Sequence, residues 1–155
     1  MLHPYQELID LLAETPRRLT ALLEQAGSDG EGQRAELARV VAHLAAVEAL
    51  MRERILRMVA QDTPYFRAVD LSALAETTTS LREALDELGH QRGDTLTTLM
   101  TLSLKDWERP AIHERLGQVT VEDLVEQLVE HDRLHLEQIE RILAGQEVSW
   151  PPEPS

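Results

Sequence analysis

LVEHDRLHLEQIERIL, residues 128–143, decides the fold. Its apolar residues recur at intervals of three and four, the spacing of one helix face, and charged residues fill the positions between. On that face stand two histidines four residues apart, His131 and His135, with Asp132 beside the first. A leucine at either position would pack more easily. At about 100° per residue, Val121 and Ile139 mark the middle of the stripe, Leu124, Leu128, His135 and Ile142 fall on one flank, and His131 lies slightly further round. Both imidazoles therefore face the interior, and side chains at i and i+4 lie one above the other, close enough to grip a single ion. Asp132 falls near the centre of the stripe, where an unpaired carboxylate is costly to bury. A metal site supplies a partner: Asp132 would orient a ligating imidazole through its other ring nitrogen.

Working outward, the helix opens at Thr120, where Thr-x-x-Asp makes a capping box with aspartate in the glutamate place, and continues to about Ala144, where Gly145 stops it. An earlier helix, roughly Gln33 to Ala60, presents Leu37, Val40, Leu44, Val47, Met51, Ile55 and Met58 inward. His43 lies in the same apolar sector, beside Val40, Val47 and Leu50, with Glu36 and Arg54 as a polar track along that flank. His43 and His131 each sit about eleven residues after their helix start, so both lie near mid-bundle whichever way the helices run. Three inward histidines at one level make a metal triad: His43, His131 and His135. The competing reading is three core histidines that share hydrogen bonds and bind nothing. Glu48, at the edge of the inner face, reads as a surface or network residue.

Two further helices complete the expectation of four. The first spans about Pro4 to Gln25 with a leucine stripe, and Pro16 should kink it unless Thr15 caps a new start there. The third spans about Ala75 to Leu102, with Gly89 and Gly93 one turn apart, either admitting a close backbone approach or a ligand, or marking a solvent-facing turn. Residues 28–32 read as a loop, and KDWERPAIHERLGQ as an irregular connection from which Trp107 and Arg109 either rim a pocket or pack on the bundle end. His3, His90 and His113 read as solvated or locally bonded, His113 being the one able to overhang a pocket mouth. Residues 1–145 thus form an all-α four-helix bundle with long connections, and 146–155 a proline-rich, extended tail anchored by Trp150.

Composition agrees. Over 155 residues, aromatics are 3% and leucine and alanine dominate at helical spacing, so strands find little support. No apolar run approaches the ~20 residues needed to cross a bilayer. The amino terminus carries acids early and shows no secretory pattern, giving cytoplasmic residence as the expectation. A net charge of −13 repels phosphate backbones, and no basic patch offsets it, which argues against nucleic-acid binding. With no cysteine, any metal must be held by nitrogen and oxygen, and thiolate chemistry from the chain itself is excluded. HDRLH shares only part of the HExxH zinc-protease pattern, since its acid is an aspartate.

VVAHLAAVE, residues 40–48, and DWERPAIHERLGQVTVEDLVEQLVEHDRLHLEQI, residues 106–139, together resemble the DinB-like (DinB/YfiT) superfamily. The shared features are a helix-two histidine, a tryptophan-containing loop, a glycine before the last helix and a closing HDxxHLxQI. The chain departs from the pattern at GEGQRAEL, where a Ser/Thr-rich helix start is usual, and at Pro16. The resemblance implies a four-helix bundle, often dimeric, whose ligands would be His43, His131 and His135 around a divalent ion such as nickel or zinc. Three imidazoles by themselves also suit iron or copper. Three protein ligands leave a coordination position open, as in catalytic sites. Two functions follow: a metal-dependent enzyme, a thiol transferase or hydrolase acting on a small-molecule thiol or electrophile, or a non-catalytic, stress-associated metal-binding bundle.

Overall fold

The computed structural model describes residues 3–26, 30–74 and 80–155. Four helices dominate it: α1 Gln6–Ala26, α2 Glu31–Ala60, α3 Leu81–Thr101 and α4 Val121–Leu143. Positions 28 and 29 of the expected loop and 75–79 of the expected third helix lie outside the described residues. None of the helices described is long and apolar enough to cross a membrane.

The helices bury two apolar clusters with a polar layer between them. One cluster holds Ile9 and Leu12 of α1, Val47 to Met58 of α2, Leu99 of α3 and Val121 to Leu128 of α4. The other holds Leu19 of α1, Leu37 to Ala45 of α2, Leu81 to Leu88 of α3 and Leu136 to Ile142 of α4. Since α1 and α4 meet the first cluster before the second, and α2 and α3 meet them in reverse, each pair runs in its own common direction. The main helix contacts are α2 with α3 and α4, and α1 with α3 and α4. Neighbours α2 and α3 are therefore parallel.

Where the clusters meet, every helix contributes a buried polar side chain: Thr15, His43 and Glu48, Arg92, and His131, Asp132 and His135. Arg92 ties this layer together. Its Nε and Nη2 donate to the two Glu48 oxygens at 2.7 and 2.9 Å. Nη1 and Nη2 donate to the two Asp132 oxygens at 2.8 and 2.9 Å. Nη1 also donates to the Leu12 carbonyl at 2.7 Å. That carbonyl is free because Pro16, four residues on, has no N–H to offer it. The helix accordingly runs on through Pro16, and Thr15, instead of capping a new start, donates its hydroxyl to Asp132 Oδ2 at 2.6 Å. Burial opposes the charge on Arg92, but the two carboxylates outweigh it and hold its pKa above the ordinary value.

The ends of α4 match their sequence signals. Thr120 Oγ1 accepts from the Asp123 amide at 3.2 Å, and Asp123 accepts from the Thr120 amide at 2.9 Å, completing the capping box. At the other end Gly145 adopts φ +74°, and the Gln146 amide reaches the Arg141 carbonyl at 3.0 Å, a Schellman stop that a Cβ would disfavour. At Gly89 and Gly93 a Cβ would meet nothing within 4 Å, so of the two readings the solvent-facing turn holds.

The connection before α4 is more ordered than its sequence suggests. Strands β2 Pro110–His113 and β3 Gly117–Thr120 form a hairpin, and β1 Tyr65–Phe66 pairs with β2 in parallel. The sheet is small, yet it fixes two things. Ala111, His113 and Val119 turn inward from it, and Trp107, just upstream, is fully buried and stacked on Tyr5 with centroids 4.3 Å apart.

Candidate metal centre

His43 projects from the middle of α2, and His131 and His135 from successive turns of α4; all three are at most 2% exposed. Their ring centroids stand 4.4 Å (His131–His135), 4.8 Å (His43–His135) and 5.1 Å (His43–His131) apart. The triad read from the sequence therefore converges. A fourth group joins it from the tail. The Glu153 carboxylate places Oε1 2.6 Å from His43 Nε2 and 3.0 Å from His135 Nε2, and Oε2 2.6 Å from His131 Nε2.

Donor atoms on a tetrahedral ion with bonds of about 2.0–2.1 Å stand roughly 3.3 Å apart. His43 Nε2 and His131 Nε2 are 3.2 Å apart, and one donor atom from each of the four side chains lies within 4.8 Å of the others. The carboxylate-to-nitrogen distances are those of hydrogen bonds. At His135 this has a consequence: Nδ1–H donates to Gln138 Oε1 at 2.7 Å, so a neutral ring turns a bare Nε2 toward Glu153. Two acceptors that close need a cation between them, either a second ring proton or a metal ion.

The electrostatics favour neutral imidazole at His131. Burial lowers its pKa first, and the neighbouring His135 and His43 lower it further, against the opposing pull of Glu153. Neutral imidazole is the metal-binding form. Burial acts to raise the Glu153 pKa, but hydrogen bonds from His131, His135 and His43 outweigh it and hold the carboxyl well below the usual carboxylate range. The site thus sets an anionic oxygen beside a His131 ring that burial biases toward its neutral form. Gln138 fixes the tautomer of His135; His43 Nδ1 has no such partner among the described residues.

Trp150 forms one wall, its ring edge-on to His43 at 4.9 Å and to His135 at 5.2 Å. Its indole N–H donates to Glu153 Oε1 at 2.7 Å, and the Arg39 guanidinium sits 5.3 Å from its ring centroid. On the other side a cleft of about 600 Å³ opens between the hairpin, α4 and the tail, reaching His131 and Glu153.

Other expectations shift. Asp132 is buried but faces Arg92 and Thr15, and the side chain that orients a ring of the cluster is Gln138, one turn beyond His135. Of the two readings of Trp107 and Arg109, packing at the bundle end holds for Trp107. Arg109 bonds Asp106 at 2.9 Å in an exposed setting. Glu48 is a network residue, as read. His113 is locally bonded, its Nδ1 accepting from the Arg115 and Leu116 amides at 3.1 and 3.2 Å, and its Nε2 donates to the Ser155 main-chain oxygen at 2.7 Å. His3 accepts from the Tyr5 amide at 3.1 Å, and His90 lies exposed, 3.8 Å from Asp94.

The bundle, its mid-height histidine cluster and the closing HDxxHLxQI define the class of protein. The model of the DinB superfamily matches residues 11–139, and the chain belongs to that superfamily. Among solved structures, YfiT from Bacillus subtilis, described as a probable metal-dependent hydrolase with an unusual four-helix bundle topology, is similar at 21% identity. The likeness covers 95% of this chain and 92% of that one with a TM-score of 0.80, and it shows a common fold. The comparison with curated proteins gives no match.

Proposed function

We propose that His43, His131 and His135 hold one divalent ion and that the chain is a metal-dependent enzyme of the hydrolase or thiol-transferase kind. The observation that carries this reading is the convergence of three buried imidazoles, two of them with Nε2 atoms 3.2 Å apart, on a point faced by an ionised carboxylate. Nitrogen and oxygen donors of this kind suit zinc or nickel. A divalent ion supplies Lewis acidity there, polarising a substrate oxygen and lowering the pKa of water or a thiol.

The chain's own residues do the rest. Burial favours the neutral form of His131, Gln138 holds His135 with Nε2 toward the site, and α4 fixes both of its histidines on one rigid element. Trp150 and the apolar residues around it exclude bulk water, which strengthens every charge interaction inside. The cleft beside His131 gives a small molecule access from the hairpin side. The description of YfiT supports hydrolysis as the reaction class to test first, ahead of transfer of a small thiol to an electrophile.

A second reading has one specific observation in its favour. Glu153 faces all three Nε2 atoms at 2.6, 2.6 and 3.0 Å, so a small outward shift brings it to the place of a fourth donor, and a shell closed by four protein ligands is the mark of a structural site. Protein purified without a histidine tag is expected to carry one zinc or nickel ion per chain by elemental analysis. Loaded protein should then turn over ester or thiol-reactive electrophilic substrates, and the metal-free protein should not. Metal at one equivalent without turnover supports the brace; absence of metal contradicts both readings.

A further inference from the structure

Glu153 reaches the histidines because the tail carrying it is tied down on both sides. Before it, Val148 and Trp150 pack against the second apolar cluster, and Trp150 donates to the Glu153 carboxylate at 2.7 Å. After it, the main-chain oxygen of Ser155 accepts from His113 at 2.7 Å, Arg54 at 3.1 Å and the Val69 amide at 3.4 Å. These anchors come from α2, the sheet and the segment after β1, so the tail spans the site like a strap. Pro151, Pro152 and Pro154 flank the glutamate. Their fixed φ reduces the freedom the segment loses on docking.

We propose that Glu153 is the fourth ligand of the ion and that the strap is a built-in, displaceable occupant of the position a substrate needs. This rests on the three-histidine reading of the site. The three Nε2 atoms present one face, and Glu153 covers it with a side chain about 9% exposed. Any molecule that binds the ion must therefore take the place of a carboxylate. The wall that receives Glu153 also suits another carboxylate: an indole N–H donor stands on one side, and on the other a cleft offers Leu116, Val119, Leu134 and Pro152 to an apolar body, with Asp123, Glu126 and Glu130 also lining it and setting a limit on further negative charge in the ligand. The ligand class that follows is a small molecule bearing a carboxylate or a similar oxyanion, with an apolar body for the cleft. Access to the ion is governed by release of the strap at the His113 and Arg54 anchor, which leaves Trp150 in place to receive the incoming group.

The test uses cobalt in place of the native ion, because its visible absorption reports the donor set. Full-length protein, Glu153→Ala and Glu153→Gln are titrated with cobalt and then with acetate, with circular dichroism as the check on folding. Glu153→Ala is expected to weaken cobalt binding by at least about 10- to 100-fold, the range for losing even an outer partner of a metal ligand, and to change the spectrum. Glu153→Gln, which keeps the shape and the Trp150 contact, should move both in the same direction. Acetate should return the Glu153→Ala spectrum toward that of the native chain and leave the native spectrum unchanged. If both variants match the native chain in affinity, spectrum and acetate response, Glu153 is no ligand and the inference fails while the three-histidine site stands. If the native chain binds no cobalt at one equivalent, the three-histidine reading fails and the strap falls with it.

Discussion

Replacing Arg92 by methionine should destabilise the chain by about 3–5 kcal/mol, the cost of removing one partner from a buried ion pair. The reason is visible in what the guanidinium leaves behind. All five of its N–H donors are used, on Glu48, Asp132 and the Leu12 carbonyl. Methionine fills much of the volume and satisfies none of them. Two carboxylates would remain at 1% and 4% exposure, and the carbonyl freed by Pro16 would lose its donor, at a further ~1–3 kcal/mol if nothing relaxes. Against a total stability of roughly 5–15 kcal/mol this is a large fraction. Urea unfolding followed by circular dichroism measures it. Replacing Glu48 and Asp132 by apolar residues in the same chain should recover most of the loss, since a buried ionic cluster is often matched by a well-packed apolar one. A loss below about 1 kcal/mol for the single variant would mean that water reaches the layer.

His135→Ala should weaken metal binding by about a hundredfold or more and leave the helices formed. A structural zinc site contributes about 10–16 kcal/mol in all, so one of four donors carries roughly 3 kcal/mol, about a hundredfold in affinity. His135 is the sharpest choice of the three because its other nitrogen is held by Gln138, so the ring is oriented before any ion arrives. The fold should survive, since Leu128, Leu136, Ile139 and Ile142 on the same face keep their burial in the two clusters. Competition with a chromophoric chelator gives the affinity, and far-ultraviolet circular dichroism gives the helix content. Native affinity in a folded His135→Ala chain would count heavily against the assignment.

The bundle was legible because α4 carries its information locally. A 3.6-residue stripe, a capping box at Thr120 and a glycine stop at Gly145 are signals within a few residues of the features they set. The histidines were legible for the same reason: the two on α4 are related by one turn, and helix phase alone turns His43 inward. What escaped depends on partners distant in sequence. Helix phase puts Asp132 on the buried face, but its partner is Arg92, which reaches it from another helix. The signal was present, for Arg92 continues the stripe of Leu81, Leu88, Thr95 and Leu99 on α3, all of them buried.

The hairpin escaped because its strands are four residues long, too short for alternation to stand out, and one opens with proline. Glu153 escaped more completely. An extended proline-rich segment has no helical phase, so nothing local says which way its one acid among prolines points. Its position is set by Trp150 and by His113 and Arg54 holding Ser155, contacts that exist only once the bundle has formed.

X-ray absorption at the metal edge of zinc- or nickel-loaded, tag-free protein tests the three-histidine centre most directly, because imidazole rings give a characteristic outer-shell scattering that counts them. Three imidazoles on one ion per chain, with an oxygen donor completing the first shell, is the result expected from His43, His131, His135 and Glu153. A spectrum with one imidazole or none, or an ion surrounded by oxygen alone, would contradict it.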